Sequence, residues 1–159
     1  MMKNSAFKTK ADLLAAIAIE GAQSLMHDVA QTQALPEGTS LLLAISTAYV
    51  DWAIQHPAYY QVMRNPDVMR YAPDQLAEIL GDFGQGQRTE ILRAQKAHWR
   101  SGDDPEDLFL HLTALTVGTA IIATDPIYPK PASITPTREK LLAPIREFLE
   151  LCAPSDQEE

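Results

Sequence analysis

A single cysteine, Cys152, excludes an internal disulfide and fits a reducing compartment. Basic side chains are also short: 13 Lys and Arg stand against 21 Asp and Glu, a net charge of −8. So acidic a fold is a poor binder of duplex DNA, because neutralising phosphates needs a basic face. No apolar run approaches the length of a bilayer span, so no membrane segment is expected. Lys3, Lys8 and Lys10 precede LLAAIAI in the manner of a leader. Asp12 and Glu20 interrupt its flanks, and the apolar positions fit an amphipathic helix better. The expectation is a soluble, cytoplasmic protein.

Catalytic and metal-binding patterns are missing as well. His27, His56, His98 and His111 are scattered, with neither H-x3-H nor C-x2-C spacing. There is no G-x-S-x-G. The run GDFGQGQ around Gly81, Gly84 and Gly86 has no strand before it and no Lys-Ser/Thr after it, which argues against a phosphate loop. It reads instead as a weakened helix or as the close approach of a neighbouring one. Glu78, Asp82 and Glu90 lie at helical spacings, and a solvated acidic face explains them most simply. Cys152, beside Phe148 and Leu149, reads as a small buried hydrophobe. No enzyme activity, cofactor or metal is expected.

What is present is helical pattern. Apolar residues make up 46% of the chain, enough for one domain with a core over residues 1–159, its ends 1–8 and 153–159 flexible. Thr9 and Asp12 approximate a capping box before a helix over 10–33, striped by Leu14, Ile17, Gly21, Leu25 and Val29. Pro36-Glu37-Gly38 is a turn, after which Thr39 or Ser40 caps a central helix. That helix places Leu42, Ile45, Tyr49, Trp52 and His56 on one face, and Pro57 ends it at His56. Tyr59, Tyr60 and Met63 follow on a short segment that Asn65-Pro66 stops. Pro73 suits a first helical position, and a long helix then runs to about Arg100 through Leu76, Ile79, Leu80, Phe83, Ile91, Leu92, Gln95 and Trp99. Gly102 suits a helix end, Asp104 an N-cap and Pro105 the next helix start. The helix over 105–124 is apolar nearly all round, with Leu108, Leu112, Leu115, Thr119 and Ile122 on one stripe and Leu110, Ala114, Val117 and Ile121 on another. One stripe can face the domain's own core, and a second subunit would most simply cover the other. After the proline-rich 125–136 stretch, Thr135-Pro136 opens a last helix striped by Leu141, Ile145, Phe148 and Cys152, with Pro144 inside it. Nothing reads as strand, so the class is all-α, an orthogonal bundle of about five or six helices.

Three fragments together resemble the C-terminal domain of TetR-family transcriptional regulators. Phe7 to Leu14, FKTKADLL, is similar to F-x-S/T-K-x-x-L-L, which in that family marks the exit from the DNA-binding head. Tyr49 to Met63, YVDWAIQHPAYYQVM, resembles its aromatic helix, where A-x-x-H-P precedes a Tyr and then a Met. Gly102-Asp103-Asp104-Pro105-Glu106, with Gly118, resembles the G-x-D-P-E start of the next-to-last helix in the WHG subgroup. Aligned there, the subgroup's Trp and His fall at Thr113 and Val117, so roles for them do not carry over. Family members begin with a helix-turn-helix head, and only six residues precede Phe7.

The resemblance implies a homodimer through the last two long helices, with Leu110, Val117, Ile121, Leu141, Ile145 and Phe148 at the interface. It also implies a cavity for a small apolar effector, for which Tyr49, Trp52, Tyr60, Met63, Phe83, Trp99 and Leu115 are the candidates. Composition alone makes the same residues ordinary core. No direct nucleic-acid binding is expected of this stretch. An alternative is a headless partner that pairs with a full-length regulator.

Overall fold

The computed structural model describes residues 8–34, 38–70, 74–125 and 136–150. Phe7, Pro36-Glu37, Pro73, Thr135, the connection over 126–135 and Cys152 with its acidic tail lie outside the described residues.

Thr9 and Asp12 form the expected reciprocal cap: Asp12 N–H donates to Thr9 Oγ1 at 3.1 Å, and Thr9 N–H to Asp12 Oδ2 at 2.9 Å. They start α1 (Lys10–Ala30), which runs into a 3-10 turn over Gln31–Ala34. The central helix α2 (Thr39–Gln55) is capped differently from expectation. Its N-cap is Gly38, at φ 90° and ψ −141°, and no side chain caps it. Only glycine holds that backbone without strain, so Thr39 and Ser40 are free to enter the helix.

Pro57 stops α2 as the sequence requires. His56 stands between α2 and α3 (Pro57–Met63) as the last cap of one and the first of the other. Its imidazole makes no capping hydrogen bond, and packs instead on the rings of Trp52 and Tyr59, at 5.2 and 6.3 Å. Pro66 does not merely end α3. It opens a further short helix, α4 (Pro66–Arg70), with Asn65 Oδ1 accepting from Asp67 N–H at 2.9 Å. The described residues thus carry seven α-helices and no strand, an all-α bundle.

The long helix α5 covers Asp74–Lys96 and stops four residues short of expectation. His98 and Arg100 take left-handed conformations, at φ 70° and 47°, while Gly102 does not. Gln95 compensates, donating to the carbonyls of Arg100 and Asp103 at 3.0 and 2.8 Å. Trp99 therefore enters the core from a turn rather than from a helical stripe.

The glycines of α5 separate by their surroundings. At Gly84 a Cβ would meet Phe109 of the following helix at 3.6 Å, so this is where that helix approaches. At exposed Gly81 nothing lies within 4 Å. Gly81→Ala should therefore stabilise the fold by about 0.5–1 kcal/mol in urea unfolding, through helix propensity alone.

Asp104 caps α6 (Pro105–Thr124), accepting from Glu106 N–H at 2.7 Å, with Pro105 first in the helix. One stripe of α6 is buried, through Leu108, Leu112, Thr116, Thr119 and Ala120. By length and composition α6 could cross a membrane, contrary to the sequence expectation, although a core helix passes the same test. The last helix, α7 (Arg138–Glu150), starts after Thr137, whose Oγ1 accepts from Lys140 N–H at 3.3 Å. Arg138 clamps α7 to α2 with two bonds to the Asp51 carboxylate, at 2.7 and 2.6 Å. The core sits where α1, α2, α5, α6 and α7 meet, around Leu25, Leu42, Trp52, Leu76, Ile91, Leu112 and Ile145.

Candidate functional site

Tyr49, Trp52, Tyr60 and Met63 do come together, but as packed core. Trp52 is 1% exposed, and its indole N–H donates to Ser24 Oγ at 3.0 Å, tying α2 to α1. Tyr60 is 1% exposed and meets Tyr49 edge-on at 6.0 Å. Met63 presses on Gly21, where a Cβ would lie 3.1 Å from its sulfur. Glycine at that point lets α1 and α3 approach closely. Burial, followed by the neighbouring Tyr60 phenol, pushes the Tyr49 hydroxyl far above the usual tyrosine range. Burial also raises the Tyr60 phenol, whose oxygen has no partner within hydrogen-bond geometry.

Trp99 belongs to another cluster. It meets Phe148 of α7 edge-on at 6.0 Å, and the Arg100 guanidinium lies 5.1 Å from the Phe148 ring. Leu115 is half-buried against the core.

The open space lies elsewhere. A cleft of about 480 Å³ runs between α1, α2 and α5, within the size range of small-molecule sites. Met26, Val29, Leu41, Ile45 and Phe83 form its apolar wall, and Asp82, Gln87, Glu90 and Arg93 form a polar end. Of the seven residues expected at an effector site, only Phe83 lines it. Phe83 also lies nearly parallel to Tyr49 at 6.0 Å, so the aromatic core backs the cleft wall. A second hollow, of about 440 Å³, is lined by Lys10, Ala11, Leu14, Asn65, Asp67 and Val68, and contains none of the expected residues.

Glu90 overturns the reading of a solvated acidic face. Glu78 and Asp82 are exposed as expected, but Glu90 is 6% exposed. One of its oxygens, Oε1, accepts from Arg93 at 2.5 Å. The other, Oε2, is buried with no hydrogen-bond partner. Gln87 is also buried, one turn before Glu90 on the same face. A buried carboxylate oxygen left without a donor is costly, so its place beside an open cleft marks where a ligand could supply one.

The signal for Glu90 was present in the spacing. Leu76, Leu80, Phe83, Gln87, Glu90 and Ala94 follow one another at intervals of four and three, a single inward stripe of α5. Residue type argued for solvent, while position argued for the interior. Position prevailed.

The residues expected at a dimer interface divide as well. Leu110 is 61% exposed, and Val117, Ile121, Leu141 and Phe148 are half-buried. Ile145 is wholly buried within the chain, so it has no surface to offer a partner. Among the described residues, no three of His, Cys, Asp and Glu are grouped so as to hold a metal ion. No protein-family model matches the chain, and no curated protein matches it.

Proposed function

We propose that this chain is a ligand-binding and dimerisation domain of the kind found in TetR-like transcriptional regulators, acting in the cytoplasm without catalysis of its own. The observation that carries the reading is the cleft between α1, α2 and α5, with its apolar wall and partly unsatisfied polar end. The effector site moves accordingly, from the Trp52 cluster to Met26, Ile45, Phe83, Gln87 and Glu90. In a two-state regulator, a ligand wedged between α1 and α5 would bias the angle at which α1 leaves the domain. The outward stripe of α6 supports pairing, because Leu110, Ala114, Val117 and Ile121 share a face that the chain itself leaves partly open.

Native mass spectrometry of the purified protein should show two copies, together with any retained small molecule. A blocking variant tests the cleft directly. Gly86 lines it, and a Cβ at that position would meet nothing within 4 Å. Gly86→Leu should keep the helical circular dichroism of the wild type while losing the thermal shift caused by amphiphilic ligands. An unchanged shift in that variant would place the ligand site elsewhere.

A further inference from the structure

We infer that the cleft between α1, α2 and α5 selects amphiphiles with a primary ammonium end, held by Glu90 Oε2. The inference rests on the reading of the cleft as a ligand site, and it specifies the ligand's chemistry. An apolar wall of Met26, Val29, Leu41 and Ile45 can take a hydrocarbon chain or ring, but it does not discriminate among head groups. Discrimination falls to the polar end. There Glu90 is a carboxylate with one oxygen paired to Arg93 and the other without any partner. Ionised, it can only accept hydrogen bonds, so the missing partner is a donor.

The charges decide which kind of donor. Asp82 and Glu90 contribute two negative charges to the cleft lining, and Arg93 contributes one positive charge. The positive charge is also the better hydrated: the Arg93 side chain is 47% exposed, whereas the Glu90 side chain is 8% exposed. Solvent screens the first far more than the second. A cation at the polar end therefore meets a net attractive field, and an anion a repulsive one. A primary ammonium adds what a quaternary one lacks, N–H donors for Glu90 Oε2 and for the Gln87 side-chain oxygen.

Three probes of equal chain length test this on the full chain: octylamine, octan-1-ol and octanoate, titrated calorimetrically at neutral pH. Octylamine should bind at least about tenfold more tightly than octan-1-ol, as expected for a hydrogen bond to a buried charge, and octanoate should bind weakest. Glu90→Gln should remove that tenfold advantage while leaving octan-1-ol affinity within about twofold, since the apolar wall is intact. Circular dichroism checks that the variant is folded. Asp82→Asn, at an exposed position, offers a second variant that cannot disturb the core, and should weaken octylamine alone by about two- to threefold.

Octan-1-ol binding as tightly as octylamine, or octylamine binding unaffected by Glu90→Gln, would overturn ammonium selection while leaving the cleft a ligand site. Binding led by octanoate would overturn it in the same way, with Arg93 as the dominant group. If none of the three binds, the ligand-site reading itself fails.

Discussion

Trp52→Ala should destabilise the chain by about 3–5 kcal/mol, the cost of removing a large aromatic from a filled core. Small domains have about 5–15 kcal/mol in total, so this variant stands at the edge of folding. The Trp52 ring is 1% exposed, lines neither cleft, and contacts the His56 ring at 5.2 Å. Its N–H is matched by Ser24 Oγ, which makes the site doubly specified, by shape and by one partly buried hydrogen bond. Ser24→Ala leaves the ring but orphans the indole N–H, and should cost about 1–2 kcal/mol. Urea unfolding followed by circular dichroism, at one protein concentration, separates the two terms. Wherever Trp52→Ala remains folded, the octylamine response should persist, because the cleft walls are untouched. Two results would return Trp52 to an effector cavity: a loss below about 1 kcal/mol, or a ligand response that vanishes with the ring.

The sequence shows the helices well because their boundaries are set by local chemistry. Thr9, Pro57, Asp104 and Pro105 act within a few residues of themselves, and their roles can be read without knowing the fold. The failures come where residue type does not disclose conformation or burial. No residue type announces that α5 stops at Lys96, since the turn is held by the Gln95 amide folding over the carbonyls of Arg100 and Asp103. Gly38 is indistinguishable in sequence from any turn glycine until its backbone angles are seen. Most of the residues expected at an effector site pack as core for a related reason. Aromatic richness marks where much surface must be buried, and a well-filled core satisfies that need as fully as a ligand does. Empty space has no residue type of its own. Glu90, half unmatched beside such a space, was legible only through its position on the α5 stripe.

Leu110→Glu should separate the proposed dimer into folded monomers, raising its dissociation constant more than about a hundredfold. A carboxylate forced into an apolar contact costs several kcal/mol, and about 1.4 kcal/mol accounts for each factor of ten. The most apolar stretch of α6 is only 28% buried inside the chain. Its inner stripe packs on α2, leaving Leu110 61% exposed and Ala114, Val117 and Ile121 incompletely covered. On α7, Leu141 and Phe148 are also partly open, so the two helices can present a joint surface. A stable dimer needs roughly 1,200–2,000 Å² in total, which two adjoining helices can supply when each copy presents the same face. Leu110 has few neighbours to lose in the monomer, so its replacement should leave circular dichroism unchanged. Leu112→Glu is the contrast. Two residues further along the same helix, Leu112 is 1% exposed, and a charge there should unfold the chain rather than split a pair. Sedimentation velocity of both variants beside the wild type reads the difference. A wild type that sediments as a monomer, or a Leu110→Glu variant that pairs as the wild type does, would remove the outward face of α6 as the dimer interface.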